Sequence, residues 1–499
     1  MANALDGLNS TLGGNLALGL IDDTKNVAEE LIHVCRKANS KEVYYLKSHD
    51  EREEKAVEKI LKENGIEPRP FGGAFSLIDY STHIVPWVDI VLEHPWRSPL
   101  IPFVDYVKKV MDAEGPKQET HLTADELKGA IVAVDLNDGD TVVSSPYLLN
   151  ELLKDVGITP GGTKWGKSIA SSWPASESDA MKALSKFLES LEEKGNDASS
   201  MKRTHLASRL SPYLARGLLS PHQVYNGIKS VGDDADVDSF VRRICWRDYT
   251  YAAVNLYPDV TNGKSIRRGY ELLDGGIQME SDERKKRLRS WQTGMTGFPL
   301  IDAGMRQLKT EGWMPQKVRL ACSTFLVEGL GLPWRDGMLH FADFLVDYDV
   351  AINSNMWQNA GCVGLDPYYV GMNYKRRMYW DKNGQYVRKW CPELSELPDA
   401  VDIHLDETTR TVDCLYEPWA TPPEVLERSG VTLGDSYPHR VCDDRDSRAV
   451  FFSEVREMRS KWPLGLIDDR KRDLVSLGST DIGLFTPRAL QIRQPRYSK

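Results

Sequence analysis

The spacing of apolar residues divides the chain into two parts. In the first part, apolar runs of strand length alternate with segments of helical spacing: an apolar run at 16–20, a helix over 24–38, a strand over 42–46, a helix over 51–64 and an extended piece over 66–70. This β-α-β-α-β order is typical of a parallel sheet. No Gly-x-Gly-x-x-Gly follows any of these strands, so the sequence gives no support for a nucleotide site there.

From residue 176 onward, apolar residues recur at helical spacing. The predicted helical segments are 181–191, 213–218, 237–256, 299–308, 316–330 and 339–346. The segment 316–330 carries a clear apolar stripe, with Arg319 beside it, that consists of Val318, Cys322, Phe325 and Leu326. We therefore predict an α/β N-terminal domain followed by an all-helical C-terminal domain. The predicted boundaries are 1–112 for the α/β domain, 113–172 for a Gly-, Pro- and Asp-rich linker, 173–462 for the helical domain and 463–499 for a loosely packed tail.

The stretch 334–359 places several polar groups in a largely apolar environment. It contains two carboxylates, an amide and two indoles: Asp347, Asp349, Asn353, Trp334 and Trp357. On an ordinary helix the two aspartates would point to different faces, and the apolar residues around them indicate that the segment is buried. Polar groups are costly to bury without a partner. A polar, planar, aromatic ligand is the natural partner for this set.

Composition narrows the class of protein. The chain has 499 residues, of which 41% are hydrophobic and 27% charged, so it is globular and long enough for two domains. Its net charge of -10 supplies no global basic field for nucleic acid. DNA binding would need a local patch, such as the basic run 284–289, although such runs are more often solvated faces.

The cysteine pattern and the apolar runs bear on the compartment. The seven cysteines are scattered and contain no Cys-x-x-Cys pair, which fits neither a disulfide framework nor a zinc site. No apolar stretch approaches the roughly 20 residues that span a bilayer, and no signal peptide is evident. We expect an intracellular protein of the nucleus or cytoplasm, with an organelle not excluded, and no membrane partner.

A candidate phosphate site lies at residues 208–217. There Ser208, Arg209, Ser211 and Arg216 surround the start of a helix with Pro212 at its first position. Exposed amides, hydroxyls and the helix dipole at such a position suit a phosphate. The simpler alternative is a plain N-cap by Ser211.

The order of motifs along the chain resembles that of the cryptochrome/photolyase family, strongly over 173–462 and weakly over 13–110. The landmarks that carry the resemblance are 208–217, Cys245-Trp246-Arg247-Asp248-Tyr249, 291–308, Gly312-Trp313-Met314, Leu332-Pro333-Trp334-Arg335 and the stretch 347–357. The resemblance implies a helical domain that folds around a U-shaped FAD, which carries the photochemistry while the protein tunes it.

The resemblance also implies roles for individual residues. The expected cofactor-binding residues are Ser208, Leu210 and Ser211 at the phosphates, together with Phe240, Gln316, Arg319, Phe341, Asp347, Asp349 and Asn353. Asp347 would pair with Arg319, although a simple salt bridge between helices predicts the same pair. Asn353 would face flavin N5, where an amide accepts a hydrogen but cannot supply a titratable proton.

Trp357 and Trp334 match the first two members of the family's electron-transfer chain. With Asn353, they are the residues to which the resemblance assigns the photochemistry. The position of the usual third tryptophan is Ser281, so the standard chain is broken at its outer end. Trp291 or Trp313 is an alternative outermost member of the electron-transfer chain, or both tryptophans belong to the core.

The residues that would grip a pyrimidine dimer are mostly changed. Trp246 keeps one aromatic wall, but Arg243 stands where a glutamate is expected and Asn359 where the second aromatic wall is expected. Pro315-Gln316 supplies neither the expected asparagine nor a histidine pair. Trp246, Arg243 and Asn359 therefore remain a possible DNA or ligand pocket, with only weak DNA contact expected.

The N-terminal part also departs from the family pattern. The chain has no counterpart to the family's first, Arg-rich strand, so the parallel sheet is predicted to be truncated. Because an antenna chromophore needs that strand, its absence argues against an antenna chromophore.

These observations favour a cryptochrome-like blue-light photoreceptor. In this interpretation FAD is photoreduced through tryptophans, and the change alters an interaction with a signalling protein partner. The alternative is a DNA photolyase that repairs pyrimidine dimers, for example in single-stranded DNA, which Asn353 and Trp246 favour. A light-insensitive flavoprotein scaffold is a further alternative, favoured by the absent third tryptophan.

Overall fold

The structure is a computed structural model. It describes residues 18–19, 27–37, 40–46, 51–71, 76–78, 100–114, 142–143, 168–169, 171–195, 207–232, 235–270, 279–366, 381, 383–405, 408–462, 465–469, 472–477 and 480–484. The chain forms two compact units, one of residues 1–85 and 103–258 and one of residues 86–102 and 259–499.

The first unit combines short strands with helices. Its elements are β1 (Leu18–Gly19), α1 (Val27–Lys37), β2 (Glu42–Leu46), α2 (Glu51–Glu63), β3 (Glu67–Phe71), α3 (Leu100–Glu114, within this unit from Phe103 on), β4 (Val142–Val143), α4 (Glu177–Gly195), α5 (Ser211–Ala215), α6 (Pro221–Val231) and α7 (Ala235–Leu256).

The parallel pairing that the sequence predicts is present between β2 and β3, with Glu42 opposite Glu67 and Leu46 opposite Phe71. Both flanking helices are amphipathic, and a small core forms from their apolar faces and the start of β3: Ile32, Cys35, Leu61 and Ile66. The predicted order β2-α2-β3 is therefore a parallel unit with its crossover helix.

The pairing of β1 differs from the prediction. β1 pairs antiparallel with β4, with Leu18 opposite Val143, rather than joining the parallel pair in the described part of the chain. β4 lies inside the segment 113–172, for which composition alone predicts a linker. Two-residue strands carry almost no periodicity, which is why the sequence pattern does not reveal this pairing.

The second unit is mostly helical. Its elements are α8 (Ser281–Thr293), α9 (Pro299–Glu311), α10 (Gln316–Thr324), a π-helix (Phe325–Gly329), α11 (Trp334–Phe344), α12 (Val350–Ala360), α13 (Gln385–Trp390), β5 (Val401–Leu405), β6 (Thr408–Val412), α14 (Pro423–Arg428), α15 (Asp444–Ser460), β7 (Asp473–Leu477) and β8 (Thr480–Leu484), with short 3₁₀ turns at Pro258–Asn262, Pro392–Leu394 and Pro418–Ala420.

The apolar stripe predicted over 316–330 lies at the centre of this unit. Val318, Cys322, Phe325 and Leu326 are all completely buried in one large hydrophobic cluster. The predicted single helix ends at Thr324 and continues as the π-helix. A π-helical turn shifts the side chains that follow it, which spacing at 3.6 residues per turn does not anticipate.

Two antiparallel hairpins accompany the helices of this mostly helical unit. β5 pairs with β6, and β7 pairs with β8. In the second hairpin, Val475, Ile482 and Leu484 are buried. This hairpin belongs to segment 463–499, where few apolar residues are present. An ion-pair cluster, rather than an apolar stripe, holds it in place.

That cluster consists of Asp473 in β7, Arg267, Arg459 and Tyr270, and all four side chains are fully buried. Asp473 Oδ2 accepts from Arg267 Nη1 at 2.6 Å and from Tyr270 Oη at 2.8 Å. Its other oxygen accepts from Arg459. One carboxylate thus serves two guanidinium groups, so its removal would leave buried charges without their partner.

Some properties of the described residues bear on the class of protein. None of the described helices has both the length and the apolar character needed to cross a bilayer. All seven cysteines carry free thiols, and six of them are buried. Burial raises the pKa of the Cys245, Cys322 and Cys362 thiols well above its ordinary value.

Replacing Asp473 with Asn is expected to destabilise the second unit strongly. Removing one partner of a buried ion pair costs about 3–5 kcal/mol, because the remaining charges stay desolvated. Urea denaturation measures the loss of unfolding free energy. The matched control is Asp481→Asn in the same hairpin, since its ion pair with Arg268 is solvent-exposed. Equal effects of the two substitutions would show that the buried cluster does not fix the hairpin.

Candidate functional site

A cavity in the second unit brings most of the predicted cofactor residues together. It encloses about 470 Å³ of empty space, open solvent at its mouth included. The residues that line it are Gln316, Arg319, Leu320, Ser323, Phe341, Leu345, Asp347, Asp349, Ile352, Asn353, Met356 and Trp357. Ligand sites of this kind combine apolar walls with a few placed polar groups.

One wall of the cavity is the face of α10. Gln316, Arg319, Leu320 and Ser323 recur at the three- and four-residue spacing of one helical face. Pro315 occupies the N-cap position and Met314 the residue before it, so the helix begins immediately at the cavity. The opposite face of the same helix carries the buried apolar stripe, which fixes its rotation.

The other walls come from α11, α12 and the turn between them. The chain leaves the helical conformation after Phe344, and Val346 donates its backbone N–H to Gly312 O at 2.9 Å. Asp349 then caps α12, because its Oδ1 accepts from the backbone N–H of Ile352 at 3.1 Å. The stretch 334–359 is therefore two helices, and Asp347 and Asp349 both line the cavity from the turn rather than pointing to opposite faces of one helix.

Arg319 and Asp347 form an ion pair at the cavity wall. Arg319 Nη2 donates to Asp347 Oδ2 at 2.7 Å, and Arg319 Nε donates to Met314 O at 2.9 Å. The Asp347 side chain is only 4% exposed. Its other oxygen, Oδ1, is buried and has no hydrogen-bond partner among the residues that the structure describes. A buried carboxylate oxygen of this kind needs a donor, and the cavity is where a ligand could supply it.

Asn353 presents one defined atom. Its Nδ2 donates to Met338 O at 3.1 Å, and the side chain is buried. With the amide nitrogen held by a backbone carbonyl, Oδ1 is left as the acceptor. Asn353 is thus oriented to receive a hydrogen bond.

Trp357 forms the base of the cavity and packs tightly on α11. A Cβ atom at Gly337 would lie 2.0 Å from the indole carbon Cη2 of Trp357, so only glycine permits this approach. Trp334 packs in the same way against Gly361, where a Cβ atom would lie 2.6 Å from Trp334 Cδ1. The two predicted electron-transfer tryptophans are therefore held by reciprocal indole-on-glycine contacts between α11 and α12.

Trp291 is a core residue that also touches the site. It is completely buried and donates its Nε1–H to Cys322 O at 3.0 Å. Its ring meets the ring of Trp357 edge to face with 6.1 Å between centroids and stacks on Phe341 at 6.0 Å. Trp291 therefore belongs to the core and lies in ring contact with Trp357 of the cavity.

His340 lies directly behind these rings. Its imidazole contacts Trp291 edge to face at 5.4 Å and Phe344 at 4.6 Å. Burial lowers the pKa of His340 to about 4, which the nearby Asp343 only partly offsets. The imidazole is consequently neutral at pH 7.

The predicted phosphate-binding residues lie in the first unit. The N-cap of α5 is Leu210, with no side-chain cap, so the simpler alternative of an N-cap by Ser211 is wrong. Leu210 donates its backbone N–H to Ser208 Oγ at 3.4 Å, and its side chain is buried. Arg209 adopts a left-handed conformation with its guanidinium 4.3 Å from the Trp173 ring centroid.

Three other predicted residues lie on α7 of the first unit. Phe240 is buried against Phe187, with 4.8 Å between ring centroids. Arg243 is exposed, with its guanidinium 4.6 Å from the Phe240 ring, and Trp246 is partly exposed. Arg243 and Trp246 lie three residues apart and so share one side of the helix.

The remaining predicted residues lie outside the cavity lining. Asn359 is 4% exposed, and its Oδ1 accepts from the backbone N–H of Asp366 at 3.1 Å, so it serves the loop after α12 rather than an open pocket. Ser281 is the exposed first residue of α8. Trp313 is buried, and the Arg319 guanidinium lies 5.9 Å from its ring centroid.

Five lining residues were missed: Leu320, Ser323, Leu345, Ile352 and Met356. Helical spacing could have found four of them. Leu320 and Ser323 extend the face defined by Gln316 and Arg319, while Ile352 and Met356 run beside Asn353 and Trp357 at the same four-residue step. Leu345 lies in the turn, which periodicity does not describe.

A scan against protein families matches residues 240–457 to the FAD binding domain of DNA photolyase. A deoxyribodipyrimidine photo-lyase of Alkalihalophilus pseudofirmus is 34% identical over 245 residues, which cover 48% of this chain and 47% of the relative. Cryptochrome-1 of Arabidopsis thaliana is 30% identical over 318 residues, which cover 59% of this chain and 42% of the relative.

Among solved structures, a bacterial class III photolyase from Agrobacterium tumefaciens aligns over 92% of this chain and 88% of that chain, with a TM-score of 0.69 and 23% identity. At this identity the likeness concerns the fold alone. The chain spans about half the length of the curated relatives it matches, between 47% and 60% of the first three.

The cavity residues fit an FAD isoalloxazine ring. Apolar walls from Phe341, Leu345 and Trp357 suit a flat aromatic system, and the buried Asp347 Oδ1 is an acceptor that still needs a donor. Asn353 Oδ1 is a second acceptor on the wall. An isoalloxazine ring has one N–H donor when oxidised and a second once N5 is protonated after reduction, so two acceptors suit it.

Titration of His340 gives a pH prediction for this region. Because the folded-state pKa of about 4 lies below the ordinary value of 6.5, the neutral imidazole favours the folded chain. This contribution is fully present above pH 6.5 and is lost as pH falls toward 4, by up to about 3 kcal/mol. Unfolding free energy measured between pH 7 and pH 4 should fall less steeply for His340→Gln than for the unchanged chain. Parallel pH profiles would disprove the buried neutral imidazole.

Proposed function

The chain belongs to the cryptochrome/photolyase family, and from that membership we propose that it is a blue-light photoreceptor flavoprotein. It binds FAD in the cavity between α10, α11 and α12, and illumination changes its interaction with a signalling protein. The observation that carries the proposal is one cavity lined by Asp347, Asn353 and Trp357 in a chain whose dimer-gripping residues are changed.

The residues of the second unit that would hold FAD are those around the ion pair. Asp347 Oδ1 offers an acceptor, Arg319 holds that carboxylate in place, and Phe341 supplies an apolar wall. Asp349 and Gln316 also line the cavity. When bound, FAD supplies absorption of blue light and an acceptor for one electron.

Trp357 is the residue best placed to donate that electron. It lines the cavity, so its indole would be in contact with the bound ring, and α11 holds it through Gly337. A donor in van der Waals contact needs no motion before electron transfer. Asn353 complements this role, because its Oδ1 accepts a hydrogen bond without supplying a proton.

Several residues argue against dimer repair as the main activity. Arg243 is a cation at a position where the resemblance predicts the carboxylate of a repair enzyme. Asn359 is buried and accepts a hydrogen bond from the loop after α12. Pro315 and Gln316 stand at the start of α10. A flipped dimer needs two aromatic faces and hydrogen-bond donors to its carbonyls. This set of residues offers only Trp246 among the expected faces.

A signal from the cavity would act first on α10 and α12, which carry most of its lining. An added negative charge beside the Arg319–Asp347 pair would change the balance of that pair, since both partners are largely desolvated. The partner that responds is proposed to be a protein.

DNA photolyase activity is the second candidate. Asn353 and Trp246 favour it, and several relatives are named deoxyribodipyrimidine photo-lyase at about 30% identity. The substrate would be a pyrimidine dimer, with single-stranded DNA the less demanding form because its bases are already unpaired.

Absorption spectroscopy under blue light tests the proposed function. The purified full chain should carry an oxidised-flavin spectrum that bleaches on illumination with a thiol present, and Trp357→Phe should slow the bleaching at least tenfold because the contact donor is gone. Trp390→Phe, at the end of α13 outside the cavity lining, is the matched control and should bleach normally.

The same samples separate the candidates. Unchanged dimers in an irradiated oligonucleotide support the receptor, whereas light-dependent dimer loss establishes the photolyase. A protein that carries no flavin would refute both.

Asp347→Asn tests the carboxylate at the cavity. The substitution keeps the size but removes the negative charge, and because the amide oxygen would accept from Arg319, an NH2 donor would replace the free acceptor. FAD affinity should therefore fall roughly 10- to 100-fold, as for the loss of a charge-assisted hydrogen bond. Equilibrium dialysis of FAD measures it. Asp343→Asn, an exposed carboxylate on α11, is the control. Equal affinities of the two variants would exclude Asp347 from the site.

A further inference from the structure

The loop between α8 and α9 holds one large apolar side chain out in solvent. Met295 is 43% exposed, although its two neighbours in the chain, Gly294 and Thr296, are buried. A single exposed apolar side chain is common on protein surfaces and by itself indicates nothing. The surroundings of Met295 give its exposure more weight.

The end of α8 explains why Met295 is uncovered. Its backbone N–H donates to Ser290 O at 2.8 Å, and the N–H of Gly294 donates to Trp291 O at 3.2 Å. With Gly294 left-handed at φ 66°, these bonds form a Schellman motif. In this motif, the residue that Met295 represents commonly packs on an apolar residue of the last helical turn. Here the available positions are Ser290 and Arg289, so α8 offers no apolar cover.

A buried carboxylate holds the loop in one conformation. Asp302 is fully buried, and its Oδ1 accepts from the backbone N–H and from the hydroxyl of Thr296, each at 2.7 Å. Its Oδ2 accepts from the Gly297 N–H at 3.0 Å and from Tyr437 Oη at 2.7 Å. Met295 therefore projects from a preformed loop. A ligand that packs on it loses little affinity to ordering of the loop.

Side chains typical of protein interfaces flank the loop. A Cβ atom at Gly297 would lie 2.6 Å from the backbone nitrogen of Arg440, so Arg440 packs directly on the loop. The Arg440 guanidinium lies 4.8 Å from the ring centroid of Trp419, which is partly exposed. On the other side, Arg306 Nη2 donates to Met295 Sδ at 3.4 Å. Tryptophan, arginine and methionine are enriched where proteins bind one another.

The outer face of α8 adds positive charge beside Met295. Lys286 and Arg289 are exposed on one side of the helix, and neither has an ion-pair partner among the residues that the structure describes. Lys285 lies next to them, 77% exposed and 3.7 Å from Asp282. Local positive charge attracts a short acidic segment, whereas the net charge of -10 repels a long polyanion from the chain as a whole.

We propose that these residues form a docking surface for an acidic segment of a partner protein. The Met295 surface consists of Met295, Trp419, Arg440, Lys286 and Arg289. One large apolar side chain of the segment packs on Met295, and its carboxylates face the cations. Nucleic acid fits less well, because phosphates leave Met295 uncovered. The inference rests on the proposed function and names the surface and the chemistry of the protein partner.

The loop is bonded to the wall of the cavity. Trp291, at the end of α8, donates its Nε1–H to Cys322 O of α10 at 3.0 Å. Cys322 Sγ in turn donates to Ile301 O of α9 at 3.8 Å. Both helices that flank the loop thus contact α10, whose other face lines the cavity through Arg319. A shift of α10 would therefore reach the Met295 surface.

Nuclear magnetic resonance of the full chain, with isotope-labelled methionine methyl groups, tests the surface in the dark. The probe is a short glutamate- and serine-rich peptide with one central leucine. On titration, the methyl resonance of Met295 should shift. The resonance of Met181, which is 40% exposed in the first unit, should not. The variants Met295→Leu and Met181→Leu assign the two resonances.

A double-mutant cycle tests the apolar contact. Met295→Ser should lower the affinity for the peptide about tenfold because an apolar contact is lost, and replacement of the leucine in the peptide by serine should do the same. If the leucine packs on Met295, both changes together should still cost about tenfold rather than about a hundredfold. Met181→Ser is the matched control and should leave the affinity unchanged. Additive losses, or equal effects of the two methionine substitutions, overturn the contact.

The same titration tests the charge and the class of ligand. Arg289→Gln should lower the affinity about threefold at low salt and make it less dependent on salt. A duplex oligonucleotide that shifts the Met295 resonance and displaces the peptide would overturn the choice of a protein segment. An unshifted Met295 resonance overturns the proposal, and the flavin spectrum then still tests the photoreceptor function. A chain that binds the peptide but carries no flavin instead refutes that function.

Discussion

The buried ion pair of Arg319 and Asp347 is the constraint on which the candidate site depends. A desolvated pair by itself contributes little to stability, since the cost of leaving water offsets the attraction. Here one carboxylate oxygen is satisfied by Arg319 and the other faces a cavity without a donor in the described structure. Such an arrangement makes sense when a ligand completes it. The pair therefore links the packing of α10 against the α11–α12 turn to cofactor binding.

Close packing between α11 and α12 sets the photochemical part of the site. Gly337 accepts the face of Trp357, and Gly361 accepts Trp334, so each indole is fixed by the absence of a side chain on the other helix. Rigid positions of this kind keep donor and acceptor in contact without conformational search.

Sequence patterns predicted the elements with strong periodicity and missed those without it. The β2-α2-β3 unit and the stripe from Val318 to Leu326 follow from spacing alone, and the residues chosen around 316–357 line one cavity. The pairing of β1 with β4 and the C-terminal hairpin were not predictable, because two-residue strands and a buried ion cluster leave no periodic signal. The contact of Asn359 with Asp366 was not predictable either, because it depends on the loop after α12, which the pattern does not encode.

By itself, the sequence determined the composition of the site: two carboxylates, an amide and the indoles in an apolar helical segment, in an order that resembles one flavoprotein family. It could do so because side-chain chemistry and helical spacing are local properties. Only the tertiary structure decided that Asp347 and Asp349 share a turn between two helices, that Trp291 touches Trp357, and that Arg335 lies over Trp334. The contact of Trp291 with Trp357 joins residues distant in the chain, and the other two depend on where each helix begins and ends and how it packs, which local spacing does not encode.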